Sequence, residues 1–74
     1  MCLAVPGRIE SVEGMTAVVD VEGNRVHAMT ALVPEAGVGD WVLVHAGLAV
    51  TVMTQEEAEE TLALMREKYA VGEE

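Results

Sequence analysis

The chain has almost no aromatic residues: Trp41 and Tyr69 are the only two among 74, and Phe is absent. No row of rings is available to stack bases, which excludes an aromatic platform for single-stranded nucleic acid. Positive charge is scarce as well. Four Lys and Arg stand against 13 Asp and Glu, for a formal charge of −9. A nucleic-acid backbone and an anionic membrane both reward clustered Lys and Arg, so neither is an expected partner. Cys2 is the single cysteine. It excludes an intrachain disulfide, and the expected compartment is the reducing cytosol. Long apolar runs are missing too. Gly, His or Asp interrupts each one well before the roughly 18 residues that a membrane span needs. No Arg/Lys-led apolar stretch opens the chain, so no secretory signal is read.

What is present is the composition of one small globular domain, residues 1–74. Hydrophobic residues make up 51% and charged residues 23%, which is too apolar for a disordered chain. A chain this short hides only about 60% of its unfolded surface, so it has little capacity to surround a large substrate. Two regions differ in pattern. Residues 1–53 are rich in Val and Gly and alternate. Residues 54–71 have helical spacing, and 72–74 read as a tail.

In the first region Arg8 to Glu13 reads as a short strand, and Glu13-Gly14 as the turn after it. Ala17, Val19 and Val21 alternate with Thr16, Val18 and Asp20, the period of a half-buried strand. Gly23-Asn24 reads as a two-residue loop, since both residues tolerate positive φ. Val26 and Ala28 return on the inner face, opposite Arg25 and His27. Pro34 to Gly39 reads as a loop. Trp41 to His45 is an apolar run of strand length, Ala46-Gly47 bends the chain, and Leu48 to Met53 is the last strand. Five short strands with tight turns predict a mainly β fold, a small five-stranded barrel, because closure removes exposed edges.

The second region predicts one C-terminal helix. Thr54 with Glu57 three residues on is a capping box. Glu56 and Glu57 suit the positive end of the helix dipole, and Arg66 and Lys68 the negative end. Ala58, Leu62, Met65 and Tyr69 form one apolar stripe. The stripe is expected to pack on the barrel, and the acidic remainder to face water. Gly72 is expected to end the helix.

Two side chains could carry chemistry. Initiator methionine is commonly removed before a small residue, and that processing would leave Cys2 with a free amine and a thiol. These groups ordinarily titrate at about 7.8 and about 8.5. A positive charge so close favours the thiolate, and sulfur with nitrogen could chelate one soft or borderline metal ion. The plainer alternative for Cys2 is a small apolar residue at a loose terminus. Pro6-Gly7 reads as a turn that lets Met1–Val5 project. His45 ends an apolar strand before two small residues that leave its ring uncovered, and a neutral imidazole is a good ligand for iron, nickel or zinc. Its plainer alternative is a core-edge histidine bonded to backbone. His27, on the polar side of its strand, reads as surface. Together Cys2 and His45 supply two or three donor atoms, whereas a closed metal site generally wants four or more. They read as a half-site, which suits a carrier that must also release its cargo. A thiolate–imidazole hydrolase is a rival, but no orienting Asn or Asp motif accompanies the pair.

The start Met1-Cys2-Leu3-Ala4-Val5-Pro6-Gly7 resembles that of the HypC/HupF family of nickel–iron hydrogenase assembly chaperones. So do Ala31-Leu32-Val33-Pro34-Glu35 and the run from Val38-Gly39-Asp40-Trp41 to His45-Ala46-Gly47. The helical Glu56-Glu57-Ala58-Glu59-Glu60-Thr61-Leu62 is similar to the family's C-terminal helix. One departure is Leu48, where many members carry Phe. The resemblance covers essentially the whole chain. It implies an OB-like barrel with a C-terminal helix, and a chaperone rather than an enzyme. It implies two partners, the iron–sulfur protein HypD and the precursor of the hydrogenase large subunit. It implies a transient iron, as an Fe(CN)2CO unit shared with HypD, and no permanently bound cofactor. Residue by residue, the family's essential cysteine maps to Cys2 and its proposed iron-contacting histidine to His45. The partner-binding segments are then Cys2 to Gly7 (with Leu3, Ala4, Val5 and Pro6 between) and His45-Ala46-Gly47. A monomer is expected, with a weak dimer through an apolar N-terminal patch as the other state. The runner-up function is an OB- or SH3-like adaptor that receives a peptide at a strand edge without any metal. Oligonucleotide binding ranks last, on charge.

Overall fold

The computed structural model describes residues 4–73, with side chains described as far as Met65. Five strands precede one helix: β1 (Val5–Glu13), β2 (Thr16–Val21), β3 (Asn24–Met29), β4 (Trp41–His45), β5 (Leu48–Met53) and α1 (Gln55–Glu73). The strands close into a barrel in the order β1-β2-β3-β5-β4. This is the expected mainly β, OB-like arrangement with its C-terminal helix.

The strand β1 holds the barrel together because it serves two neighbours. Its first half, Val5 to Arg8, pairs with β4. Its second half, Arg8 to Glu13, pairs with β2. Between Ile9 and Ser11 the register slips by one residue, a bulge that bends the strand from one neighbour to the other. The core is made of small side chains. Ile9, Ala17, Val19, Ala28, Val33, Ala36, Val42, Val44 and Ala49 form it. Val and Ala suffice because a five-stranded barrel leaves a narrow interior. The alternation expected for β2 and β3 holds: Ala17, Val19 and Ala28 are buried, and Arg25 and His27 are exposed.

Residues 30–40 are stitched to β1 rather than left loose. Gly39 donates to the Ile9 carbonyl and Ile9 donates to that of Asp40, both at 2.9 Å. This connection delivers Val33 and Ala36 to the core. The helix packs against β1 and β4, with Ala58 fully buried and Leu62 and Met65 half-buried. Its start is the expected capping box. The Thr54 Oγ1 accepts from the Glu57 amide at 3.0 Å, and the Glu57 carboxylate accepts from the Thr54 amide at 2.9 Å.

Several local expectations are corrected. Pro6 and Gly7 are not a turn; they lie inside β1, opposite Leu43 and Val42. Proline is tolerated there because this half of β1 is laddered on one side only, so a missing N–H breaks nothing. The first turn is Gly14-Met15, with Gly14 at φ 62°, not Glu13-Gly14. The second is Glu22-Gly23, at φ 52° and 92°, not Gly23-Asn24. The Asp20 carboxylate accepts from the Gly23 amide at 2.9 Å, which sets the turn one residue earlier. The helix runs through Gly72 to Glu73 rather than stopping at 71. A glycine costs about 1 kcal/mol in a helix but does not forbid it. Consequently Arg66 and Lys68 fall short of the last turn, which carries no basic residue. The side chain of the stripe position Tyr69, and the last tail residue, Glu74, lie outside what is described.

Candidate functional site

The register of β1 against β4 decides what sits beside His45. Val5 pairs with Val44, Pro6 with Leu43, Gly7 with Val42 and Arg8 with Trp41. The beginning of β1 therefore lies at the end of β4 that carries His45. Ala4 and Val5 there are half-buried. Cys2 and Leu3 lie outside the described residues.

His45 stands at the base of a two-residue hairpin. It pairs with Leu48 across Ala46-Gly47. Ala46 has φ 55° and Gly47 φ 80°, the pair of positive values that a type I′ turn requires. Glycine adopts that backbone freely, whereas alanine in the left-handed region costs about 1–2 kcal/mol. The tip is tethered from the far side: the Met29 amide donates to the Gly47 carbonyl at 2.9 Å. An exposed loop is thus fixed in place by β3, and His45 is carried on a rigid support.

His45 itself is exposed and makes no hydrogen bond or ion pair among the described residues. The alternative of a core-edge histidine bonded to backbone does not apply. Ala46 and Gly47 are exposed beside it. Among the described residues no three His, Cys, Asp or Glu side chains are grouped to hold a metal. His45 alone is one donor, and any ion it touches must find its other ligands elsewhere. His27 is exposed on the outer face of β3, as read from its position.

Pro6 and Gly7 belong to the barrel, not to its surface. Pro6 is among the fully buried side chains, and Gly7 is buried as well. A Cβ on Gly7 would stand 2.9 Å from Val21 Cγ2, 3.2 Å from the Asp20 carbonyl, and closer still to Val19 Cγ1. The glycine lets β1 cross β2 closely. The clue in the sequence was a glycine followed directly by an alternating strand, beside valines that a side chain would strike. The bend at Ala46-Gly47 is legible as an Ala-Gly pair between two apolar runs of strand length; the positive φ of Ala46 is not.

Among the described residues, the shifted titration lies at Arg25 rather than at this end. Glu10 accepts a hydrogen bond from Arg25 Nε at 2.8 Å, and that bond with the carboxylate charge raises the guanidinium pKa above its ordinary value.

The architecture defines a class: a small OB-like barrel whose first strand and one exposed imidazole share an end. Comparison with known proteins narrows it. The sequence profile of the HupF/HypC family matches residues 1–65. The hydrogenase maturation factor HypC of Rhizobium leguminosarum bv. viciae is 43% identical over 74 residues, covering 99% of this chain and 97% of the relative. That of Cupriavidus necator is 44% identical over 68 residues, covering 90% and 76%. That of Escherichia coli K12 is 40% identical over 77 residues, covering 96% and 86%. The chain belongs to the HupF/HypC family.

Proposed function

We propose that this chain is a hydrogenase maturation factor, a chaperone of metallocentre assembly rather than an enzyme, working in the cytoplasm. It binds HypD, shares with it the iron of an Fe(CN)2CO unit, and hands that cargo to the large-subunit precursor. The observation that carries the reading is the β1–β4 register, which brings the start of β1 to the His45 end of the barrel. Cys2 is three residues before Val5, and three residues of chain span at most about 11 Å. The reading needs the thiol to act beside the His45 tip, and a span of that length would allow it. The near-complete match to HypC relatives supports the same reading.

The chemistry follows from the donor set. A thiolate suits a soft iron centre bearing strong-field diatomic ligands. One thiolate and one imidazole leave most of the coordination shell to the partner, so the cargo is held only while the partner is present. One sulfur cannot grip HypD and the precursor at once, which makes the transfer directional.

The test is anaerobic co-purification with HypD, followed by infrared spectroscopy for bound cyanide and carbon monoxide. The Cys2→Ala variant is expected to lose both partners while its circular dichroism stays that of the folded barrel. Retained complexes would sink the role given to Cys2. The His45→Ala variant is expected to lower iron per complex more than it weakens HypD binding. Unchanged iron stoichiometry would remove His45 from the cargo site.

A further inference from the structure

The strand β5 is laddered along most of one edge only. Its β4 edge is paired at Leu48, Ala49 and Thr51 to Met53, with a bulge at Val50, whereas the β3 edge is held by one pair, Met29 opposite Leu48. Among the described residues, no backbone hydrogen bond outside the regular ladders involves Ala49 to Met53. Alternate residues there turn N–H and C=O groups outward. Such an edge is a template for another strand unless Lys, Pro or a bulge blunts it; β5 contains no Lys or Pro, and its bulge at Val50 precedes the regular stretch Thr51 to Met53.

The same stretch lines a cleft of about 400 Å³ between Thr51, Val52 and Met53 on one side and Glu57, Glu60 and Thr61 on the other. Val52 in the cleft is 38% exposed, and Leu64, one helical turn beyond Glu60 and outside the cleft lining, is 65% exposed. The charge is of one sign. No Lys or Arg occurs from Gln55 to Met65. Glu57 is committed to the capping box and Glu59 to Gln55. Glu60 is exposed and makes no hydrogen bond or ion pair among the described residues.

We propose that this cleft is a docking groove for an extended segment of a partner protein that bears lysine or arginine. The segment adds as a strand to the free edge of β5, sets apolar side chains against Val52 and Leu64, and places a cation against Glu60. Main-chain bonds supply affinity and the alternating side chains supply selectivity. A second copy of this chain is disfavoured as occupant, because each copy carries a formal charge of −9 and like charges repel. The inference is independent of the iron-carrier reading, since it uses neither Cys2 nor His45.

The experiment uses the full chain, labelled with nitrogen-15, and a blocked synthetic peptide that alternates lysine with valine or threonine. A matched peptide carries glutamate for each lysine. At saturation the outward-turned amides among Val50–Met53 are expected to shift and to exchange with solvent at least about tenfold more slowly. The glutamate peptide is expected to leave them unchanged. Glu60→Lys, a substitution on an exposed face, is expected to keep the melting temperature and to weaken binding at least about fivefold. Any of three results overturns the proposal: no protection at Val50–Met53 with millimolar lysine peptide, an equal response to the glutamate peptide, or protection at the free edge of β3 instead.

Discussion

Replacing Gly7 with alanine tests the packing that aims the first strand. The added Cβ would lie 2.9 Å from Val21 Cγ2 and 3.2 Å from the Asp20 carbonyl, with Val19 Cγ1 nearer. Carbon atoms prefer separations of about 3.5–4.0 Å, so several contacts are overlapped at once. The neighbours have little room to yield. Val19 is fully buried, and Asp20 is held by backbone pairing to Arg8 in the adjacent position. Relief requires β1 to move off β2 near the point where it also pairs with β4. Overpacking of this kind typically costs about 1–3 kcal/mol, and a clash against a ladder belongs at the upper end. The entropic gain of removing a glycine from the unfolded chain is about 0.4–1 kcal/mol and does not offset it. A net loss of about 2–3 kcal/mol is a large part of the roughly 4–11 kcal/mol expected for a domain of this size. It lowers the melting temperature by about 8–24 °C. Urea unfolding followed by the fluorescence of Trp41, the single tryptophan, reads the change directly. Gly37→Ala is the control, because nothing lies within 4 Å of its added Cβ and its φ is not positive. If both variants unfold at the same urea concentration, the close crossing of β1 and β2 is not what Gly7 provides.

Three further outcomes are expected. Thr54→Ala removes one half of the capping box and should cost about 1 kcal/mol; Glu57→Ala should cost a similar amount, and the double variant less than the sum, in thermal denaturation. Fully additive losses would show that the two bonds are not coupled. Ala46→Gly relieves a left-handed alanine and should leave stability unchanged or raise it by up to about 1 kcal/mol, whereas Ala46→Val should lower it by more than about 1 kcal/mol. The reverse order in urea midpoints would contradict the type I′ assignment. Exposed Arg25 and Glu10 form a pair that solvent screens. Because the pairing raises the guanidinium pKa, its stabilising effect is present below the unfolded value and is lost only as pH rises through the folded one, in strongly alkaline solution. The Arg25→Gln variant should therefore show the same stability–pH profile as the parent between neutral and mildly acidic pH.

The parts of the molecule legible from the chain alone are those governed by neighbours in sequence. Thr54 and Glu57 are three residues apart, and their reciprocal bonds form as soon as the first helical turn does. The alternation of Ala17, Val19 and Ala28 against Thr16, Arg25 and His27 marks which side of each strand is apolar, whatever it packs on. The second turn lies one residue earlier than its glycine–asparagine pair suggests. Asn24 tolerates positive φ in isolation, but the Asp20 carboxylate holds the Gly23 amide and pulls the turn back.

Other features had no local cause to read. Pro6-Gly7 has the composition of a turn, yet it is strand because β4 pairs with it from more than thirty residues away. Whether the front of the chain and His45 share an end was equally hidden, since it depends on a register between strands that no short-range pattern specifies. Strand pairing of that separation is decided by which valines and alanines fill one narrow interior together, and that is a property of the closed barrel. The free edge of β5 has the same origin: its residues resemble those of any buried strand, and only the single-pair contact with β3 leaves the outer edge unladdered. Sequence alone therefore determined most of each element and its inner face; the tertiary structure decided which elements meet, because barrel closure couples residues that local interactions never bring together.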